Sequence, residues 1–76
     1  NKDKEARQYL EKAISCLKCH GYYWGLERAE IYMAMLLKRQ NSFEEAKAYY
    51  EESRQISEKI KNPTTMELIQ KFEEDM

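Results

Sequence analysis

The chain has 76 residues, 36% of them charged, and a formal net charge of -1 at pH 7. A chain of this length forms one small domain that buries only about 60% of its unfolded surface, and its near-neutral charge offers no basic field to hold nucleic acid. No apolar run approaches the roughly 18 residues of a membrane helix and no signal peptide is recognisable, so we expect a soluble, cytoplasmic protein.

The composition favours helix throughout. Only two Gly and one Pro occur, while Ala, Leu, Glu, Lys, Gln and Met are frequent, which leaves little turn punctuation for strands. We therefore expect an all-α protein in which residues 1–76 form a single domain. The chain begins with Asn1 instead of Met, as expected of a fragment or a processed product.

The first predicted helix covers about residues 3–20, and Gly21 is placed to end it. Its apolar residues follow the i, i+4, i+7 spacing of a helix with one buried face. The predicted inward stripe consists of Ala6, Leu10, Ala13, Leu17 and His20. An unusually aromatic connection follows, Tyr22-Tyr23-Trp24-Gly25.

The second predicted helix covers about residues 26–40 and is apolar over much of its circumference, so we expect it to contact neighbours on more than one side. One edge contains Leu26, Ala29, Met33, Leu36 and Leu37, and the edge beside it contains Ile31, Tyr32 and Met35. Asn41 can adopt the left-handed conformation that stops a helix. Ser42 with Glu45 fits a capping box for the next helix.

The third predicted helix covers about residues 43–61 and ends before Pro63, because proline disfavours helix in the residue ahead of it. The residues predicted to face inward are Phe43, Ala46, Tyr50, Ser53 and Ile60. Thr64 and Glu67 fit a second capping box, which predicts a last helix over about residues 65–75. One side of that helix carries Met66, Ile69, Phe72 or Glu73, and Met76, and its short, acidic character suits a terminal cap.

The chain repeats part of itself after forty residues. Glu5–Ala13 aligns with Glu45–Ser53, with small, bulky and small residues in the same order. Residues 27–58 form a predicted helical hairpin within this period. Repeated helical units cannot bury their apolar faces alone and must stack into a solenoid, which indicates a binding scaffold rather than an enzyme.

Residues 27–60 resemble a tetratricopeptide repeat, in a degenerate form and with the spacing of the longer variants. The family's characteristic positions, from the leucine and glycine of the first helix to the small residue of the second, fall on Met33, Ala34, Leu37, Ala46, Tyr50 and Ser53. Glu30 and Glu58 depart from the pattern, because they stand where a large aromatic and a proline are usual. The resemblance implies antiparallel helical hairpins, forming an α-solenoid fragment of about four helices in which residues 3–20 are the second helix of a preceding repeat.

The resemblance also implies a concave surface, lined by the first helix of each pair, that binds a peptide or a partner helix. In this sequence that surface consists of Arg28, Ile31, Tyr32, Met35, Lys38 and Arg39. An apolar strip between cations suits a protein ligand with hydrophobic anchors and nearby acids. The lysine and asparagine with which related chaperone adaptors clamp a terminal carboxylate fall on Ile31 and Met35, so we do not expect that activity. Alternatively, Ile31, Tyr32 and Met35 pack against a neighbouring helix.

A second motif, CxxCH over Cys16, Cys19 and His20, resembles the haem-attachment signature of c-type cytochromes. It implies electron transfer as an alternative function, with His20 on the iron and Met33, Met35 or Met66 opposite. The Gly- and Pro-rich loops that wrap haem in small cytochromes are missing from the sequence. We therefore expect no cofactor, no metal, and two reduced, half-buried thiols, since two Cys and one His fall short of the four ligands of a structural zinc site.

No catalytic constellation is visible, so we expect no enzymatic activity. His20 has no evident nucleophile to serve, because Ser15 lies on another face of its helix. The carboxylates of the third helix fit solvated i, i+4 pairs with Lys47 and Arg54.

The aromatic connection suits either an anchor for a partner or, as we expect, a structural role, in which it packs the turn between the first two helices or covers an end that would meet another repeat. The sequence as a whole predicts a protein-interaction scaffold that binds a protein or peptide, without a nucleic acid or membrane partner. Two further alternatives are self-association through exposed helix faces and a regulatory bundle that holds an amphipathic helix in a groove.

Overall fold

Four α-helices make up the chain, in the order α1 (Lys2–His20), α2 (Leu26–Arg39), α3 (Phe43–Ile60) and α4 (Pro63–Glu74). The structure is a computed structural model that describes residues 2–74. About 86% of these residues are helical and none of them is in a strand, so the predicted all-α fold of helical hairpins is confirmed. Within the same residues, no helix combines the length and the apolar character needed to span a bilayer.

α2 is the central element, since it packs against α1, α3 and α4, while α3 also packs against α4. α2 contacts neighbours on several sides because apolar residues cover much of its circumference, as the sequence predicted. The edge predicted from residues 26 to 37 is buried in full: Leu26, Ala29, Met33, Leu36 and Leu37. The other helices add Ile14, Ala46, Tyr50, Ile69 and Phe72 to this core.

α1 is attached to the core by a narrower face than the sequence predicted. Ile14 is its one fully buried side chain among residues 2–20, with Leu10 and Leu17 packed partly against the core. Ala6 and His20, which belong to the predicted stripe, are exposed. That part of the prediction is wrong, because α1 turns the side containing Ile14 toward α2 and leaves the far edge of the stripe open.

The ends of the first two helices follow the turn chemistry of the sequence. Gly21 ends α1 with a left-handed φ of 69°, and the N–H groups of Gly21 and Tyr22 donate to the carbonyl oxygens of Lys18 and Leu17 at 3.2 and 2.9 Å. This pair of backbone hydrogen bonds is the Schellman motif. Asn41 has a φ of 65° after α2, so its predicted left-handed conformation is confirmed.

The start of α3 differs from the predicted capping box. Ser42 occupies the cap position, but its side chain makes no capping hydrogen bond. Glu45 is engaged elsewhere, because its carboxylate accepts a hydrogen bond of 3.0 Å from the Arg7 guanidinium of α1. Phe43, predicted to face inward, is 59% exposed. The tertiary ion pair therefore replaces the local cap.

The start of α4 lies two residues before the predicted one. Asn62 is the capping residue, since its Oδ1 accepts a hydrogen bond of 3.1 Å from the Thr64 N–H, and Pro63 takes the first helical position. Proline is favoured there because the first N–H of a helix has no partner to lose. The predicted capping box of Thr64 and Glu67 is therefore wrong. Met76, assigned to the apolar side of this helix, lies outside the described residues, and Met66 is half exposed.

Candidate functional site

Four of the six residues predicted to contact a partner form a strip along one exposed side of α2. Arg28, Tyr32, Met35 and Arg39 follow each other at intervals of three or four residues, which places them on one face of the helix. Tyr32 is 43% exposed and Met35 is 36% exposed, although both are apolar in large part. We call these four residues the α2 strip.

The remaining two predicted residues lie differently. Lys38 is half-buried beside the strip. Ile31 is completely buried in the core, since it lies about 100° around the helix from Tyr32 and faces the neighbouring helices. Its assignment to the partner-binding surface is therefore wrong. Ile31 packs against the neighbouring helices, which was the alternative prediction.

A groove lies on the α1 side of the strip. It has a volume of about 410 Å³ and is lined by Ala6, Leu10, Tyr32, Met35, Leu36 and Arg39. The Arg39 guanidinium closes one end, because its Nη2 donates to the Asp3 carboxylate of α1 at 2.7 Å. This α1–α2 groove is mostly apolar, and its walls come from helices that the sequence predicted to be neighbours.

A second groove lies on the α4 side and has a volume of about 530 Å³, within the range of small ligand sites. Its lining consists of Met35, Lys38, Arg39, Phe43, Lys71 and Phe72. Phe43 contributes the most open apolar surface, and the Lys38 ammonium stands over the Phe72 ring at 4.9 Å from the centroid. We call this the α2–α4 groove.

The α2–α4 groove combines an apolar floor with a positive rim. Lys38, Arg39 and Lys71 contribute cations to the lining, and no Asp or Glu is among its residues. Arg39 is already paired with the Asp3 carboxylate of α1 at 2.7 Å, so Lys38 and Lys71 are the cations without a carboxylate partner among the ion pairs of residues 2–74. Since the whole chain carries a net charge of -1, this positive potential is a local feature. It favours ligand groups that are anionic and placed next to an apolar anchor.

Sequence reasoning missed three residues of this groove, namely Phe43, Lys71 and Phe72. Phe43 and Phe72 were assigned to buried faces, and Lys71 received no role. A signal existed for Phe43, because it directly follows the cap position of α3, where a side chain projects from the end of the hairpin rather than from its packed face. The groove itself joins residues thirty-seven positions apart, Met35 and Phe72, which no local pattern shows.

Two carboxyl groups are fully buried on the opposite side of α2. Glu27 Oε1 accepts hydrogen bonds from Asn62 Nδ2 at 3.2 Å and from Thr65 Oγ1 at 3.4 Å. The Glu27 carbonyl oxygen accepts a hydrogen bond of 2.6 Å from Ser53 Oγ. Glu27 therefore joins α2 to α3 and to the first turn of α4, and these contacts fix the three helices against each other.

Glu30 is the second buried carboxyl and has a different state. Burial, a hydrogen bond to Glu52 and the charge of Glu52 raise the pKa of Glu30 to about 9, so this side chain is a neutral acid at pH 7. The hydrogen bond that protonated Glu30 donates to Glu52 lowers the pKa of Glu52. Lys18 of α1 pairs with Glu52 at 2.9 Å, which connects the network to the first helix.

The CxxCH motif lies on the last turns of α1. Cys16 and Cys19 are free and exposed, so the prediction of half-buried thiols is wrong. His20 Nδ1 lies 2.9 Å from the Cys16 carbonyl oxygen and 3.8 Å from Cys16 Sγ. Met33, one of the three methionines named as opposing iron ligands, is fully buried. None of these contacts tests the haem alternative, which stays a prediction. In residues 2–74 no set of three or more His, Cys, Asp or Glu side chains could hold a metal ion.

The aromatic connection is open to solvent. Tyr22, Tyr23 and Trp24 are each at least 60% exposed, and with Gly21 and Ile60 they line a shallow depression. Tyr22 stacks on the His20 ring with centroids 5.7 Å apart. The expected packing of the turn is therefore wrong, because the connection lies at the end of the bundle, where no helix covers it in the described chain.

A central helix packed between neighbours that fold back on it, with grooves on both sides, is an all-α arrangement of helical hairpins. The family model for the tetratricopeptide repeat matches residues 31–60, which run from the middle of α2 to the end of α3. This match supports a tetratricopeptide-like repeat over these residues, as the sequence predicted. A search of the curated proteins and a search of the solved structures each found no match.

Proposed function

We propose that the chain is a protein-interaction scaffold that binds a peptide or a partner helix across the α2 strip and in the α2–α4 groove. The tetratricopeptide repeat at residues 31–60 supports the general role, since repeats of this family are typically non-catalytic scaffolds. The scaffold positions a ligand and performs no reaction of its own.

The observation that carries the proposal is the pairing of exposed apolar side chains with cations in the α2–α4 groove. Met35 and Phe43 leave apolar surface open in the groove that Lys38, Arg39 and Lys71 border. A ligand that inserts an aromatic or aliphatic side chain gains from burial of this surface, and acidic residues beside the anchor meet the ammonium groups of Lys38 and Lys71. The flexible thioether of Met35 lets the floor adapt to anchors of different shape.

Panning a display library of random dodecapeptides against the chain tests this proposal. We expect enriched peptides to carry an aromatic or aliphatic residue with Asp or Glu within a few positions. We expect Met35→Asp to weaken the binding of these peptides at least about tenfold, because it places a charge on the apolar floor next to their acids. Fluorescence anisotropy of labelled peptides measures the change.

The matched control is Gln55→Asp, which adds the same charge at an exposed position of α3. Its affinity should stay within about twofold of the unchanged chain, since an isolated distant charge is screened by salt. Circular dichroism should show equal helical content in all three proteins. Enrichment of peptides without acids, or equal loss of affinity in both variants, contradicts the proposal.

A further inference from the structure

The last turns of α1 place two thiols on one side of the helix. Cys16 and Cys19 are three positions apart, and residues at this spacing are neighbours on a helix surface. Both thiols are free and both are exposed to solvent. Small molecules that react with thiols can therefore reach either sulfur.

The helix geometry brings the two cysteines close to the spacing of a disulfide. Three residues of α-helix correspond to a Cα–Cα separation of about 5 Å, which lies within the range of about 4.4–6.8 Å found in disulfides. The Cβ atoms at this spacing are about 5–6 Å apart, whereas a disulfide needs roughly 3.5–4.5 Å. A modest tightening of one helical turn is therefore enough to join the two sulfurs.

The turn that must tighten is the last one of α1, which ends at His20. The Gly21 N–H already donates to the Lys18 carbonyl oxygen at 3.2 Å, an i to i−3 hydrogen bond of the tighter 3₁₀ type. Gly21 has a left-handed φ of 69°, so no further helical turn resists the change. Joining the sulfurs therefore alters the end of α1 and leaves the buried side chain of Ile14 in place.

His20 favours Cys16 as the thiol that attacks first. The His20 Nδ1 lies 2.9 Å from the Cys16 carbonyl oxygen, and since a carbonyl oxygen only accepts, Nδ1 carries the hydrogen. The same N–H lies 3.8 Å from Cys16 Sγ, so it is placed to donate to the sulfur of a thiolate. Lys12, one turn earlier on the same side of α1, adds a positive charge. Within residues 2–74, Cys19 Sγ forms no corresponding hydrogen bond.

We propose that Cys16 and Cys19 form a dithiol that low-molecular-weight disulfides oxidise to an intramolecular disulfide, with Cys16 as the attacking thiol and Cys19 as the resolving thiol. The inference goes beyond the function proposed above, because it uses neither the α2 strip nor the α2–α4 groove. The reaction is a stoichiometric modification of the scaffold, and it gives the two cysteines of the CxxCH motif a chemistry of their own.

The oxidation proceeds by two thiol–disulfide exchanges. The Cys16 thiolate attacks one sulfur of the small disulfide, so that a mixed disulfide forms and the first small thiolate leaves. The Cys19 sulfur then attacks Cys16 Sγ, the protein disulfide forms, and the second small thiolate leaves. The protons of Cys16 and Cys19 pass through solvent to the two leaving thiolates. The chain thus loses two hydrogens and two electrons, and the small disulfide is reduced to two thiols.

Oxidised glutathione is the probe for this reaction. The reduced full chain, at low micromolar concentration and pH 7, is mixed with an excess of the probe, and samples quenched with acid are analysed by mass spectrometry. We expect the main product to be a chain that has lost two hydrogens and contains the Cys16–Cys19 link, with only a trace of mixed disulfide. In Cys19→Ser, glutathione should instead accumulate on Cys16, because no second thiol displaces it.

The attacking role of Cys16 is tested by the rate of the first exchange. In Cys16→Ser, where Cys19 must attack, this rate should be at least about threefold lower than in Cys19→Ser. His20→Phe, added to Cys19→Ser, removes the Nδ1 donor, keeps an aromatic ring beside Tyr22 and should slow the exchange by a similar factor at pH 7. The difference should shrink toward pH 9, where a thiol ionises without a donor. An unchanged rate in the His20→Phe variant overturns the assignment of Cys16 as the attacking thiol.

A variant whose two thiols do not face each other is the matched control. Cys19→Ser combined with Ser15→Cys keeps two thiols at exposed, adjacent positions of α1, which point to different sides of a helix. Its product should therefore remain a mixed disulfide. Equal closure in this control, or slower closure in the folded chain than in the chain unfolded by urea, would show that α1 does not bring the thiols together. Chains linked to each other through disulfides would overturn the proposal as well.

Discussion

At the scale of single residues, Glu30 accounts for a departure from the repeat pattern. The family usually has a large aromatic residue at this position, and a charged carboxylate there would be costly to bury without a partner. A pKa of about 9 makes Glu30 neutral at pH 7, and Glu52 accepts its proton in a hydrogen bond. A neutral acid with one hydrogen bond can replace an apolar side chain at this position between α2 and α3.

The state of Glu30 predicts how stability depends on pH. Its pKa is raised to about 9 from 4.5, so between these values the folded chain keeps a proton that the unfolded chain has released. The stabilising contribution of Glu30 is therefore complete below pH 4.5 and is lost as the pH rises toward 9. Gln retains a donor for Glu52 and cannot ionise. We expect Glu30→Gln to raise the free energy of unfolding at pH 7 by on the order of 1 kcal/mol or more.

Urea unfolding at pH 5, 7 and 9 measures this effect. The gain in the free energy of unfolding from Glu30→Gln should be smallest at pH 5 and grow toward pH 9. The reason is that keeping Glu30 protonated in the folded chain costs more free energy as the pH rises, and Gln avoids this cost. Glu51→Gln, at an exposed position of α3, is the control and should show no such trend. A gain that is constant with pH would show that Glu30 is already charged in the folded chain.

At the scale of elements, the helices could be predicted closely and their caps could not. Gly21, Asn41 and Pro63 act through their own backbone preferences, so the sequence places the ends of the helices within about two residues. A side-chain cap depends on competition with distant partners. Glu45 pairs with Arg7 of another helix, and Asn62 takes the role that Thr64 was expected to have.

In the candidate site too, positions along one helix could be predicted from the sequence and contacts between helices could not. Tyr32, Met35 and Arg39 could be placed on one face of α2 from their spacing alone. Phe43 and Phe72 could not be placed in the α2–α4 groove, because the groove exists only after α4 has packed beside α2. Burial of Ile31 was also beyond the sequence, since both edges of an apolar helix look alike until the neighbours are known.

The contacts of Asn62 at the start of α4 predict how much this residue contributes to stability. It caps α4 through Thr64 and also donates to buried Glu27, so Asn62→Ala removes a cap and leaves a carboxylate oxygen with one donor fewer. We expect the free energy of unfolding to fall by about 1–3 kcal/mol. Asn62→Ser keeps a capping oxygen and should lose less. Thermal unfolding followed by circular dichroism makes the comparison, and equal losses in both variants would argue against the cap.

At the scale of the whole molecule, the described chain is a slab of 32 × 29 × 19 Å. Its shortest dimension corresponds to two layers of helices at the usual spacing of about 10 Å. A slab this thin has a small core for its surface, so single contacts between layers carry much of the stability. Phe72 is one of them, because it joins α4 to Tyr50 of α3 and to Lys38 of α2.

We therefore expect Phe72→Ala to lower the free energy of unfolding by about 3–5 kcal/mol, a large part of the 5–15 kcal/mol typical of small domains. Met66→Ala on the same helix removes a half-exposed side chain and should cost less than about 1 kcal/mol. Guanidinium unfolding followed by Trp24 fluorescence gives both values. If the two variants lose equal stability, α4 is not fixed to the slab through Phe72.

The single fully buried side chain of α1 has a consequence for the order in which the chain loses its structure. A helix held by Ile14 and a few exposed ion pairs opens at a lower free energy than α2, whose backbone is enclosed by three neighbours. Salt weakens those ion pairs further. We therefore expect the first helix to fray before the central helix, so that hydrogen exchange finds the amide hydrogens of α1 exchanging with solvent while those of α2 remain protected.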